Sequence, residues 1–172
     1  MDDPWDNAIR EAYTYAPDEP ILAALEFRHP AWAAPVRVVR DTMDLDAKLE
    51  ADAVEDPGAV VTFGRCAFEA IPPESSDNLP QVRLRIDNVS MQIATHLVAA
   101  MGVRQPVSIT YREFLPSDCG TSGPHYVLSG LTLRRATCTA KVVTGTAVFG
   151  DFTNRAYPSL YYTADDYEGL VR

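Results

Sequence analysis

Gln81-Val82-Arg83-Leu84-Arg85-Ile86-Asp87-Asn88-Val89-Ser90 is the stretch that decides how this chain folds. Val82, Leu84 and Ile86 point one way and Arg83 and Arg85 the other, the two-residue period of a half-buried strand. Asp87 and Asn88 then read as a structural turn. Their short side chains bond nearby backbone N–H groups and fix a bend. Ser90 is placed to cap a helix. Ile93, Ala94, Leu97, Val98 and Met101 form its apolar face, and Gly102 ends it.

Working outward, most of the chain reads as strands. Residues 106–115 alternate, with Val107, Ile109 and Tyr111 set against Ser108, Thr110 and Arg112. Residues 126–133 and 136–149 are rich in Thr, Val and Leu, which suit a pleated surface. Between them and the preceding strand, residues 116–124 read as a mobile Ser-, Gly- and Thr-rich loop. Upstream, residues 21–27 and 36–39 read as a hairpin whose turn carries two prolines and Trp32. Residues 59–70 are strand-like, but the apolar phase changes. Val61 and Phe63 are odd, whereas Cys66, Phe68 and Ala70 are even, so a bulge or bend is expected near Gly64. Residues 41–57 are acidic and weakly periodic, with a helical turn or two expected within 44–54. A short helix is expected over residues 6–16, stopped by Pro17. Residues 154–172, with Tyr157, Tyr161, Tyr162 and Tyr167, read as an extended arm. Regular βα alternation is missing. The expected fold is therefore mainly β (α+β): an antiparallel sandwich or barrel with one helix packed on it.

A chain of 172 residues suffices for one domain with a real core, and a single domain spanning 1–172 is expected. The net charge of −9 argues against a generic nucleic-acid binder, which needs basic density to displace counterions from phosphates. It also argues against a polybasic membrane-surface protein. No apolar run is long enough for a transmembrane helix. The acidic Met1-Asp2-Asp3-Pro4 start lacks the apolar region of a secretory signal, so synthesis in the cytoplasm is expected.

The residues show little chemistry. No Walker loop, Gly-x-Ser-x-Gly, His-Glu-x-x-His or Cys-x-x-Cys occurs. Cys66, Cys119 and Cys138 are widely spaced and read as free thiols filling space near strands. Cys119 and His125 share one loop, too few ligands for a metal site. No catalytic residue, metal ligand or cofactor is assigned, and the chain is not expected to be an enzyme. Trp5, Trp32, Tyr157, Tyr161, Tyr162 and Tyr167 are the candidate interface residues, since aromatics dominate interface hot spots.

One resemblance narrows the function. The run 79–89 followed by a helix and the strand 106–115 resembles a phage tail family catalogued as a domain of unknown function. Leu25-Glu26-Phe27-Arg28-His29-Pro30, residues 35–41 and Phe68-Glu69-Ala70 resemble that family's opening half. Tyr157-Pro158 and the run from Tyr162 to Leu170 resemble its ending, although Glu168 stands where proline is usual. The layout is also similar to the N-terminal part of lambda-type tail tip protein L. That protein carries an iron–sulfur cluster on a separate cysteine domain, which the cysteines here do not match. The resemblance implies a structural component of a siphophage-like tail tip or baseplate, made in the host cytoplasm and carried in the virion. It implies partners among tail tube, hub and baseplate proteins, and self-association in a ring, six-fold or alternatively three-fold. Neither a membrane nor sequence-specific nucleic acid is expected as a partner. The alternative is a carbohydrate-binding module touching the host surface, for which Trp32 and Tyr126 would share one groove.

Overall fold

Alternation along the chain becomes two faces of one sheet. The computed structural model describes residues 19–71, 81–87, 95, 96, 100, 105–139 and 141–149. Within them lie nine strands: β1 Leu22–Arg28, β2 Val36–Val39, β3 Leu45–Lys48, β4 Val60–Arg65, β5 Phe68–Ile71, β6 Gln81–Asp87, β7 Ser108–Phe114, β8 Tyr126–Cys138 and β9 Val142–Phe149. They form a single mixed sheet in the order β3-β4-β2-β1-β7-β8-β9-β6-β5.

The expected hairpin is present, with β1 and β2 antiparallel from Ala24↔Val39 to Phe27↔Val36. Antiparallel pairing throughout is corrected by one contact, the parallel pairing of β2 with β4 at Val38↔Gly64 and Val39↔Arg65. A parallel pair needs a crossover rather than a tight turn. Residues 40–59, including β3, supply it. The helical turns expected within 44–54 are likewise corrected, because β3 occupies residues 45–48 and pairs with β4. Its alternation, Leu45 and Ala47 inward and Asp46 outward, is only four residues long and is masked by the surrounding acids.

The phase change in residues 59–70 has a tertiary cause. Phe63 packs in one core, whereas Cys66, Phe68 and Ala70 pack in the other. The strand switches between Arg65 and Phe68, where it leaves β2 for β6: Cys66 N–H donates to Val39 O, and Asp87 N–H donates to Ala67 O. The break lies two residues beyond Gly64. The expected break between 133 and 136 is only a bulge. There β8 continues to Cys138 with a register shift between Arg134 and Thr137, and Arg135 is left-handed at φ 53°. The chain leaves β8 only after Cys138, and the Thr139 hydroxyl donates to Val142 O at the start of β9.

The first core covers one face. Ala23, Leu25 and Phe27 of β1 meet Ile109, Leu131, Val143, Ala147 and the inward triplet Val82, Leu84 and Ile86. Each of those three is under 5% exposed, while Arg83 and Arg85 are exposed. The strand face that the sequence singles out is thus the buried one. A second core lies on the opposite face of β1, where Leu22 and Ala24 join Val39, Ala47, Leu49, Phe63 and Phe114. Both faces of β1 are therefore buried. Among the described residues, helical backbone is confined to Thr95, His96 and Ala100, and Ala100 joins the first core. The N-terminal helix expected over 6–16, most of the segment 90–102 and the arm 154–172 lie outside the described residues.

Candidate functional site

Three local structures concentrate the polar chemistry. The first is a buried ion network beside the second core. Glu26, Arg28 and Arg112 share the second-core face of β1 and β7, and Arg37 is the register partner of Glu26. Glu26 is 1% exposed and Arg112 2%. Arg37 Nε donates to Glu26 Oε2 at 2.9 Å, while Arg112 Nη1 and Arg28 Nε lie 3.3 Å from the same carboxylate. Arg112 also grips Glu50 with two parallel bonds, Nε to Oε2 at 2.8 Å and Nη2 to Oε1 at 2.7 Å. Arg37 Nη2 reaches Asp56 Oδ2 at 2.8 Å. Three guanidinium groups thus face three carboxylates, so the network is neutral.

The charges bear on the ionisation of its members. Burial alone would raise the Glu50 carboxyl. The Arg112 hydrogen bonds, a backbone N–H and the charges of Arg112 and Arg28 outweigh it and hold Glu50 below the ordinary range. Burial opposes the charge on Arg37, but its bonds to Glu26 and Asp56 hold that guanidinium above its ordinary value.

The network's consequence is positional. Glu50 and Asp56 stand at either end of one surface loop, residues 49–59. Gly58 N–H donates to Glu50 O, and Leu49 N–H donates to Ala59 O, closing the loop at its base. Asp56 and Gly58 are left-handed, at φ 53° and 67°, which turns the chain back. Two ion pairs then clamp the loop against the sheet. Its tip presents Val54, 77% exposed.

The second structure is an open depression of about 680 Å³ at the end of β5, β6 and β9. Phe68 and Val142 supply apolar surface, and Glu69, Arg85, Asp87 and Lys141 supply charge. Asp87, expected in a structural turn, ends β6 here with an exposed side chain. Its backbone does the joining: N–H to Ala67 O at 2.8 Å, and C=O accepting from Cys66 Sγ at 3.4 Å. Asn88 lies outside the described residues. Burial and the Asp87 charge push the Cys66 thiol up, which favours its protonated form.

The third is the loop 116–124, expected to be mobile but tethered here, together with His125 that follows it. Ser117 N–H and Oγ both donate to Glu19, and Lys48 N–H donates to Cys119 O at 2.7 Å. The last bond covers the outer edge of β3. His125 Nε2 lies 3.0 Å from each Asp118 oxygen. Cys119 packs against the second core rather than beside His125 as a ligand pair. No group of three or more His, Cys, Asp or Glu among the described residues could hold a metal ion.

Trp32 is the one candidate interface aromatic within the described residues. It is half-buried on the first core, in tilted ring contact with both His29 and His96, and its Nε1–H donates to His96 O at 2.8 Å. His29 Nδ1 accepts from Ala31 N–H, so the ring proton is on Nε2 and donates to Gln105 O. Tyr126 pairs instead with Tyr111, so Trp32 and Tyr126 belong to separate aromatic pairs. Trp5, Tyr157, Tyr161, Tyr162 and Tyr167 lie outside the described residues. Sequence reasoning missed the ion network. Its only signal was Glu26 and Arg28 inside the otherwise apolar β1, because Arg112 stands on the polar side of an alternating strand.

With this geometry in place, the chain can be compared with known proteins. The family described as "Domain of unknown function (DUF1833)" matches residues 8–162. The chain belongs to that family. The match spans all nine strands, so the sheet, both cores and the clamped loop are features of a family member. A search of the curated proteins found no match. No helix among the described residues is long and apolar enough to cross a membrane.

Proposed function

We propose that this protein is a structural subunit of a siphophage-like tail tip or baseplate, forming a ring that joins tail tube to hub through subunit interfaces. The ordered motifs running from the opening hairpin through residues 79–89 to the tyrosine-rich ending carry this reading. The clamped loop 49–59 supports it. A surface loop held by two ion pairs is pre-organised, which lowers the ordering cost of a repeated contact. Six copies around the axis are proposed, with three as the alternative, and the neighbours are tail tube, hub and baseplate proteins. The protein acts by its interfaces and not as an enzyme.

The finer architecture proposed is a barrel. The bonds of Cys66 to Val39 and of Ala67 to Asp87 join the two ends of the sheet through one bent strand, β4–β5, and a closed sheet has no sticky edge along that seam.

Mass spectrometry of purified particles, with cryo-EM of the tail, tests the function. The expected result is this chain at the tail tip in a whole-number ring. Its absence from particles would refute the proposal.

A further inference from the structure

We propose that the clamped loop 49–59 of one copy docks on the depression and basic face of β6, β9 and β8 of the next copy, head to tail. The inference rests on the ring reading above and names its interface.

The acceptor face follows from the strand register. Arg83 pairs with Thr146 and Thr146 with Arg134, and Arg85 pairs with Thr144. These side chains therefore share the face opposite the first core. Arg83, Arg85, Arg134, Arg135 and Lys141 are all exposed. Among the described residues no ion pair holds any of them. Around the depression Arg85 and Lys141 balance Glu69 and Asp87, and Arg83, Arg134 and Arg135 add exposed cations beside it on a chain whose net charge is −9.

The donor is the opposite in charge. Residues 41–56 carry seven carboxylates and one lysine. Glu50 and Asp56 are used in the clamp, but Asp52 and Glu55 are exposed and flank Val54 at the tip. An apolar knob between two acids matches an apolar-floored depression beside a cationic row. The clamp holds β1, β2 and β7, while the depression is built on β5, β6 and β9. Donor and acceptor are thus separate surfaces of the same chain. Such a contact is heterologous, and a heterologous contact generates rings when its rotation closes. Complementary charge fixes its register and suppresses wrong pairings.

The test uses the full chain and two charge-reversed variants, Arg83→Glu/Arg85→Glu and Asp52→Lys/Glu55→Lys, followed by sedimentation velocity across concentration and salt. Wild type is expected to form a discrete oligomer that weakens as salt rises. Each variant alone should need at least about 100-fold more protein to assemble, because like charges then meet. An equal mixture should recover a six-membered ring of alternating variants, since each reversed loop finds a reversed face and each native loop a native face. A three-membered ring cannot alternate, and its mixture should recover only open or even-numbered assemblies. Circular dichroism confirms folding of both variants. If wild type assembles and either variant assembles equally well alone, the interface is wrong while the ring reading stands. If reversal at Arg83 and Arg85 abolishes only binding to a DNA duplex, the face serves nucleic acid and the inference falls. A wild type monomeric at every concentration and absent from particles overturns the ring reading and this interface together.

Discussion

Arg112→Met removes the centre of the ion network, and its cost can be worked from the structure. The side chain is 2% exposed and bridges two carboxylates, gripping Glu50 in two parallel bonds and lying 3.3 Å from Glu26. Methionine fills much of the same volume, so the packing loss is small. The electrostatic loss is not. Three carboxylates are left facing two guanidinium groups, and Glu26, 1% exposed, cannot reach water. Breaking a buried pair from one side costs about 3–5 kcal/mol, a large share of the roughly 5–15 kcal/mol that holds a domain together. Removing Glu50 as well restores neutrality, with Arg28 and Arg37 left to face Glu26 and Asp56. Arg112→Met/Glu50→Leu should therefore recover at least about 2 kcal/mol of the loss, as buried pairs replaced by apolar residues often do. Asp56→Asn is the control, since asparagine tolerates the left-handed backbone at that position. The Asp56 carboxylate is 52% exposed, and such a pair is worth no more than about 1 kcal/mol. Urea unfolding followed by circular dichroism measures these and Glu50→Leu alone, read as a shift in midpoint at constant slope. If Arg112→Met costs under about 1 kcal/mol, or the double variant is as unstable as the two losses added, the buried-network argument is wrong.

Acid should loosen the same clamp. The folded Glu50 carboxyl titrates below its ordinary value of 4.5, so its contribution is full above that pH and is lost as pH falls through the folded value. Urea midpoints measured from pH 7 to pH 3 should fall less steeply for Glu50→Gln than for wild type. Gly145→Ala would place a Cβ 2.7 Å from Leu133 Cδ1. The atom met is the end of a half-buried leucine side chain that can turn away, so a cost of no more than about 1 kcal/mol is expected. Adding Leu133→Ala should make the pair less damaging than the two single costs combined, as a double-mutant cycle reports. The three thiols should label in the order of their surroundings. Cys138 is exposed, and Cys66 is both half-buried and raised by burial and Asp87. Timed alkylation read by peptide mass spectrometry should find Cys138 modified first and Cys66 last.

Side-chain alternation is a local property, so it was legible wherever a strand has one buried and one exposed face. Val82, Leu84 and Ile86 against Arg83 and Arg85 were readable for that reason, whereas the β1–β2 hairpin was readable from two short apolar runs and the prolines between them. Even the phase change in residues 59–70 was visible as a break in period. Its cause was not, because it depends on which core each half of the strand meets. Tertiary contacts decided everything that joins residues distant along the chain. The parallel β2–β4 pair, the short β3 hidden among acids and the tether of loop 116–124 all belong there. So does the meeting of Glu26 and Arg112 with Glu50. Alone, Glu26 is an anomaly in an apolar strand, Arg112 is one polar position of an alternating strand, and Glu50 is one acid among many. Their pairing becomes favourable only when the fold removes them from water together, and no local pattern in the chain encodes that event.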